Sequence, residues 1–220
     1  MSNLNQLILS FEYEQNFKNL DFYVSKSNAH VFNLINNWSS QNEKFLNIVG
    51  EKFCGKSHLI NIFLEKNKGL KINSNELNNH FLKKIKFYKN IILEDLTLRI
   101  NEKLFYSLID IVEAENKNLI ITSHVSIVNL NFKLSDLKSR SKNFTLTKIE
   151  NPDDELIFAL VLKNLSDRQI SINKKLIDYI IKRIDRSYSN ISDFVYKIDK
   201  LSLKKKRSID FAIIKEALGD

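Results

Sequence analysis

The strongest chemical signal in the chain is Gly50-Glu51-Lys52-Phe53-Cys54-Gly55-Lys56-Ser57, the Gly-x4-Gly-Lys-Ser spacing of a phosphate-cradling P-loop (Walker A). Such a loop needs glycine because the backbone must curl close to phosphate oxygens with its N–H groups turned inward. Lys56 is expected to reach the terminal phosphates and Ser57 to hold Mg2+, while the helix starting there aims its positive end at the anion. The chain has only 4 glycines in 220 residues, so chance rarely puts two of them at this spacing before Lys-Ser. Gly50, Glu51, Lys52, Phe53, Cys54, Gly55, Lys56, Ser57 and the next residue, His58, form the expected nucleotide-binding set, with ADP or ATP as the ligand. Cys54 reads as a small loop filler rather than a reactive thiol, although a neighbouring lysine favours the thiolate.

A phosphate loop that supports hydrolysis needs a second element, an apolar strand ending in acids, and Ile91-Ile92-Leu93-Glu94-Asp95 has that form. One acid would orient Mg2+ through water and the other would polarise the attacking water. Glu94 and Asp95 stand in the reverse of the usual Asp-first order, so the expected intrinsic ATPase is weak. Thr122-Ser123-His124 follows a later apolar run, where these folds place a group that senses the γ-phosphate; Ser123 and His124 are the candidates. His124 either hydrogen-bonds phosphate or water, or is simply an exposed loop histidine. His30, His58 and His80 have no ligand-like spacing to one another.

These residues require strands and helices in alternation. Phe45–Val49 is a short apolar strand leading into the loop, and strand-like runs follow at Leu70–Ile72, Ile91–Leu93, Leu119–Thr122 and Phe144–Leu146. Helical spacing of apolar residues marks 28–38, 57–66 and 103–115, the last through Leu104, Phe105, Leu108, Ile109 and Val112. Alternation implies parallel pairing in a doubly wound α/β sheet. The single proline marks the boundary: in Asn151-Pro152-Asp153-Asp154-Glu155, Asn can cap a helix, Pro suits its first position and the acids suit its positive end. Helical patterns then cover 156–164, 174–186, 191–203 and 211–218, the last after an Asp210 cap. The expected organisation is an extended tail at 1–12, an α/β domain at 13–150 and a small all-helical lid at 151–220.

Composition excludes several classes. One cysteine cannot form an internal disulfide, and no His/Cys cluster has zinc-finger spacing. No apolar run approaches the roughly 18 residues of a membrane span, and the start Met1-Ser2-Asn3 lacks signal-peptide features; the expectation is a cytoplasmic protein without a membrane partner. The formal charge of +8 permits attraction to nucleic acid, but Lys is spread through the whole chain, so the DNA contact expected is indirect or weak.

Taken together the motifs resemble the DnaA-type AAA+ domains, and within them the shorter Hda-like regulators of replication initiation, over nearly the whole chain. The resemblance implies a P-loop AAA+ fold with a lid. It implies that Asp21–Asn28 contacts adenine, with Tyr23 and Val24 as candidates, and that Leu137-Lys138-Ser139-Arg140 is similar to an arginine-finger motif. Arg140 would then act in trans on nucleotide held by a neighbouring subunit, neutralising charge on the transferring phosphoryl group. The alternative is an exposed Arg on a polar helix. The family's lid arginine has no counterpart in Ser189-Asn190-Ile191-Ser192-Asp193, and Arg186 is the nearest candidate.

Gln6-Leu7-Ile8-Leu9-Ser10-Phe11 is similar to the peptide by which Hda-like proteins bind the β sliding clamp of DNA polymerase III; Gln6 would hydrogen-bond in a cleft while Leu7, Leu9 and Phe11 fill apolar pockets. The resemblance thus implies a clamp-bound regulator that stimulates hydrolysis of DnaA-bound ATP, with DnaA and the clamp as partners; self-association stays open. A self-standing DNA-stimulated ATPase such as a helicase loader, and a scaffold that binds only the clamp, are the competing readings.

Overall fold

The computed structural model describes residues 22–38 and 43–219. Gln6, Leu7, Leu9 and Phe11 lie outside them. The first helix, α1 (Ala29–Asn36), leads to β1 (Phe45–Val49), the loop, and α2 (Lys56–Lys66). Then come β2 (Gly69–Asn73), α3 (Asn79–Lys84), β3 (Asn90–Leu96), α4 (Glu102–Ala114), β4 (Asn118–Ser123), α5 (Ser135–Arg140) and β5 (Thr145–Lys148). The strands form one sheet in the order β2-β3-β4-β1-β5, and every pairing is parallel.

Parallel strands need crossovers, so helices cover both faces and the central strands β1, β3 and β4 carry near-continuous apolar runs rather than alternating ones. Alternation reappears as a split between two cores. Ile91, Leu93, Leu119 and Ile121 pack with Phe105, Leu108 and Val112 of α4, whereas Ile92, Ile120, Leu46 and Ile48 pack with Val31, Leu59 and Phe63 of α1 and α2. The buried Asn47 of β1 is satisfied: its Nδ2 donates to Ser123 Oγ at 2.9 Å and to Ile121 O at 3.3 Å, and its Oδ1 accepts the Ile127 N–H at 2.9 Å.

Four helices follow: α6 (Asp154–Asp167), α7 (Lys174–Ile181), α8 (Tyr188–Lys205) and α9 (Phe211–Leu218). They enclose their own core of Ile157, Val161, Leu165, Ile180, Ile191, Ile198 and Ile213. Leu156 and Tyr188 belong instead to the core of α1 and α2, so the lid is seated on the sheet domain through them. Asp210 caps α9 as expected, accepting the Ile213 N–H at 2.9 Å. The start of α6 departs from expectation. Asp153, not Asn151, is its cap, and accepts the Leu156 N–H at 2.8 Å while its other oxygen accepts the Ser27 N–H at 3.3 Å. Pro152 therefore lies before the helix, and the cap also ties the domain joint to the segment ahead of α1. Among the described residues no helix is long and apolar enough to cross a membrane.

Burial alone would push the Asp153 carboxyl up, but the hydrogen bonds from Leu156, Ser25 and Ser27 outweigh it and hold it below the ordinary range. A carboxylate so depressed contributes stability above its unfolded value, near about 3.9, and loses it as pH falls through the folded value. Asp153→Ala is expected to cost about 1 kcal/mol of unfolding free energy at neutral pH. The deficit relative to wild type should shrink on acidification, and denaturant titrations at the two pH values check both statements.

Candidate functional site

The carboxyl ends of β1, β4 and β3 lie on one edge of the sheet and deliver the loop, His124 and Asp95 to a common cleft of about 920 Å³ closed on its far side by α6 and α8. Ligands of open parallel sheets bind at this edge. The two loop glycines act differently. Gly55 sits at φ +95°, a left-handed turn that side chains resist, and a Cβ there would also meet the Phe22 ring at 3.0 Å. A Cβ on Gly50 would come within 2.5 Å of Cys54 Sγ. Phe53 adopts φ 67° without being glycine, so the loop holds a strained, half-exposed aromatic facing the cleft.

Gly55 is also the N-cap of α2, and no side chain caps that helix. Its first N–H groups therefore remain for an anion. Lys56 is buried, and its Nζ donates to the carbonyls of Gly50 and Glu51, both at 2.8 Å. Lys52, Phe53, Cys54, Gly55, Lys56, Ser57 and His58 all line the cleft, but Gly50 and Glu51 do not. Cys54 is buried, which pushes its thiol up despite the nearby Lys56, in keeping with a filler.

The Glu51 carboxylate turns to the lid. It accepts the Ser187 hydroxyl at 2.5 Å, the Tyr188 N–H at 3.0 Å and the Ser189 N–H at 3.3 Å. Burial alone would raise this carboxyl, but these hydrogen bonds outweigh it and hold it below its ordinary value. Tyr188 is buried beside it and donates its hydroxyl to Glu150 O at 3.0 Å; burial pushes that phenol well above its ordinary value.

The two acids of β3 part company. The ladder is irregular between Leu93 and Leu96, and Asp95 sits at φ 52°, with its N–H donating to Thr122 Oγ1 at 3.0 Å. This bulge brings Asp95 to the cleft. Glu94 is not among the cleft residues: its Oε2 pairs with Lys71 at 3.3 Å, and its Oε1 is buried with no hydrogen-bonding partner among the described residues. Of the polar tip after β4, exposed His124 lines the cleft. Ser123 is instead fully buried and accepts from Asn47, which removes it from the surface a phosphate would touch. Among the described residues no group of three His, Cys, Asp or Glu side chains could hold a metal. Ser57 and Asp95 on the cleft suit Mg2+, which binds through few protein ligands together with phosphate oxygens.

Beside the loop, Phe22 and Tyr23 line the cleft whereas Val24, one residue on, does not. Phe22 stacks on Phe32 with centroids 5.6 Å apart and meets His58 edge-on at 5.2 Å, forming an aromatic corner. Phe22 lies in the expected 21–28 segment but is not one of its two candidates, and the lid's contribution has no signal in the sequence. Lys163 and Arg168 line the cleft from α6 and its C-terminal end, with Arg168 Nε paired to Asp199 at 3.2 Å. Arg186, the sequence candidate for a lid arginine, pairs with Asp154 at 2.7 Å and does not line the cleft. Arg140 also lies outside the cleft lining, at the end of α5. Its guanidinium meets Asp110 at 2.9 Å, Glu113 at 3.3 Å and the Tyr106 hydroxyl at 3.2 Å, a stripe on one face of α4.

Residues 153–218 match the family described as Hda, lid domain. An uncharacterised protein of Haemophilus influenzae is 23% identical over 212 residues, covering 90% of this chain and 92% of its own. Domain III of the Thermotoga maritima replication initiation protein DnaA superposes with a TM-score of 0.73 at 17% identity, covering 93% of this chain and 96% of that domain. AMPPCP-bound DnaA from Aquifex aeolicus gives 0.66 at 18% identity, over 84% of this chain and 66% of that one. A RuvB mutant of Thermotoga maritima gives 0.68 at 13% identity, over 91% and 71%. Residues 153–218 are a lid of the Hda family, and the sheet and loop ahead of it share the fold of DnaA domain III.

Proposed function

We propose that this protein is a nucleotide-anchored regulator of replication initiation that acts on a partner's nucleotide rather than chiefly on its own. The Hda-type lid on a DnaA-like body carries this reading. The cleft supports a resident ADP or ATP: Lys56 would exchange the Gly50 and Glu51 carbonyls for phosphate oxygens, the bare end of α2 would receive the same anion, and Phe22, Tyr23 and His58 would wall the base. Mg2+, held by Ser57, Asp95 and the phosphates, would neutralise phosphate charge. Only Asp95 of the acid pair reaches the cleft, which fits weak turnover by the chain itself.

Arg140 is the group that would act in trans. Its place outside its own cleft supports a role at a neighbour's nucleotide, DnaA-bound ATP. Its pairs with Asp110 and Glu113 have more than half of each carboxylate exposed, and such pairs contribute only about 0–1 kcal/mol. Exchanging them for the charge of a transferring phosphoryl group is therefore inexpensive, and the gain appears only in the transition state. Gln6, Leu7, Leu9 and Phe11 would hold the protein on the DNA-loaded β clamp, placing it where DnaA is to be inactivated.

A second reading has its own observation. Phe87 is 86% exposed and stands among exposed Lys83, Lys84, Lys86 and Lys89, a pairing of aromatic face and cations that suits single-stranded nucleic acid. It favours a DNA-stimulated ATPase of the helicase-loader kind.

Three measurements separate these readings. In an assay of DnaA-ATP hydrolysis with clamp and DNA, the protein should stimulate turnover, and Arg140→Ala should remove about 10³-fold or more of the finger's contribution, returning hydrolysis to the unstimulated rate; undiminished stimulation by Arg140→Ala would sink the mechanism. Deleting residues 1–11 should abolish clamp pull-down while leaving ADP binding intact, and retained capture would exclude the tail as the anchor. DNA-stimulated ATP turnover by the chain alone, lost in both Lys56→Ala and Phe87→Ala, would instead establish the second reading.

A further inference from the structure

The first turn of α8 is satisfied in an unusual way. A helix leaves its first N–H groups without intrahelical partners, and a single capping side chain usually meets one of them. In α8 Ser187 accepts the Asn190 N–H at 3.3 Å, which is the ordinary cap. The two N–H groups before it, of Tyr188 and Ser189, are taken by Glu51, a residue 137 and 138 positions earlier in the chain. The Ser187 hydroxyl completes the arrangement by donating to Glu51 itself. The lid's longest helix, 18 residues, thus begins on the second residue of the phosphate loop.

Glu51 is held from its other end as well. Its main-chain carbonyl accepts from Lys56 Nζ, so one residue links the loop's ammonium group to the lid helix through a few bonds. A phosphate that draws Lys56 away from this carbonyl changes how the Glu51 backbone is held. The Glu51 carboxylate lies outside the cleft lining and does not compete with phosphate for the site. Its negative charge also offsets the positive end of α8, whereas the start of α2 in the cleft has no side-chain cap.

We infer that Glu51 is a positioning residue that couples occupancy of the nucleotide loop to the seating of the lid, by carrying the α8 cap on the loop itself. The inference rests on the reading of the loop as a nucleotide site. It replaces a lid arginine touching phosphate with a loop carboxylate touching the lid. Ser192, in the stretch where the family's arginine is missing, lines the cleft without offering a charge.

Hydrogen exchange of the full-length protein, followed by mass spectrometry on the segment 186–192, tests it with ADP as the probe. ADP binding is first measured for each protein by equilibrium dialysis, and exchange is then read at saturating ADP. In wild type, ADP should slow exchange at the Tyr188 and Ser189 amides. In Glu51→Ala both amides should exchange quickly, and the ADP-dependent difference should disappear. Ser187→Ala, which removes one partner and leaves the carboxylate, should reduce the difference and serves if Glu51→Ala does not fold. A merely structural cap would lower the melting temperature of either variant yet leave the ADP-dependent difference intact. A full wild-type difference in a folded variant, or ADP binding by wild type without any change at these amides, overturns the coupling alone; wild type that binds no ADP overturns both the coupling and the nucleotide reading.

Discussion

Parallel pairing of β1 with β4 on one side and β5 on the other fixes where chemistry can occur in this protein. Parallel strands end together, so the loop after β1, the bulge near the end of β3 and the tip after β4 are forced onto one edge. The Gly50 N–H donates to Ser123 O at 3.1 Å, extending the β1–β4 ladder by one step before the loop departs. Gly55 then turns the chain through a left-handed residue into α2, and the end of that helix is aimed at the space the other strands have opened. Core packing on both faces holds the edge rigid, because each face is filled by alternate residues of the same strands.

Much of this was legible in the sequence because residue type and backbone geometry are tightly linked there. The run Ile91-Ile92-Leu93 reads as a strand buried on both faces, and is one. The spacing of Gly50, Gly55, Lys56 and Ser57 has few uses apart from a phosphate loop. The misplacements share a cause: local pattern cannot see which way a side chain turns. Ser123 and His124 are adjacent at a strand end, yet Ser123 goes into the core to meet Asn47 and only His124 faces the cleft. Phe22 and Val24 exchange roles by the same logic. Glu94 and Asp95 turn apart because Asp95 itself is left-handed, a conformation that aspartate tolerates but that a strand pattern does not locate.

Other features depend on contacts far apart in sequence. Asp153 displaces Asn151 as the cap of α6 because one carboxylate satisfies both Leu156 and the distant Ser27. Arg186 is the lid cation that the sequence offers, whereas Arg168 is the one that lines the cleft. Their partners, Asp154 and Asp199, sort them, the first to the outside of the joint and the second to the cleft wall. The link from Glu51 to Ser187, 136 residues apart, has no local signature at all. A carboxylate in a phosphate loop is electrostatically unfavourable for anion binding, and only the tertiary structure reveals that this one is committed to the lid.

That commitment bears on how such a protein can work with one acid of the β3 pair in its cleft and no arginine at the start of α8. A lid seated by contact with the γ-phosphate must distinguish ATP from ADP, because its partner is lost on hydrolysis. A lid seated by Glu51 has a partner that belongs to the protein and survives any change in phosphate number. Such a lid responds to whether the loop is filled, not to what remains of the nucleotide after turnover. Arg140, held on a different face by two exposed carboxylates and by Tyr106, stands apart from its own chain's cleft. A cleft whose lid is seated by the chain itself suits the proposed role of a fixed mount.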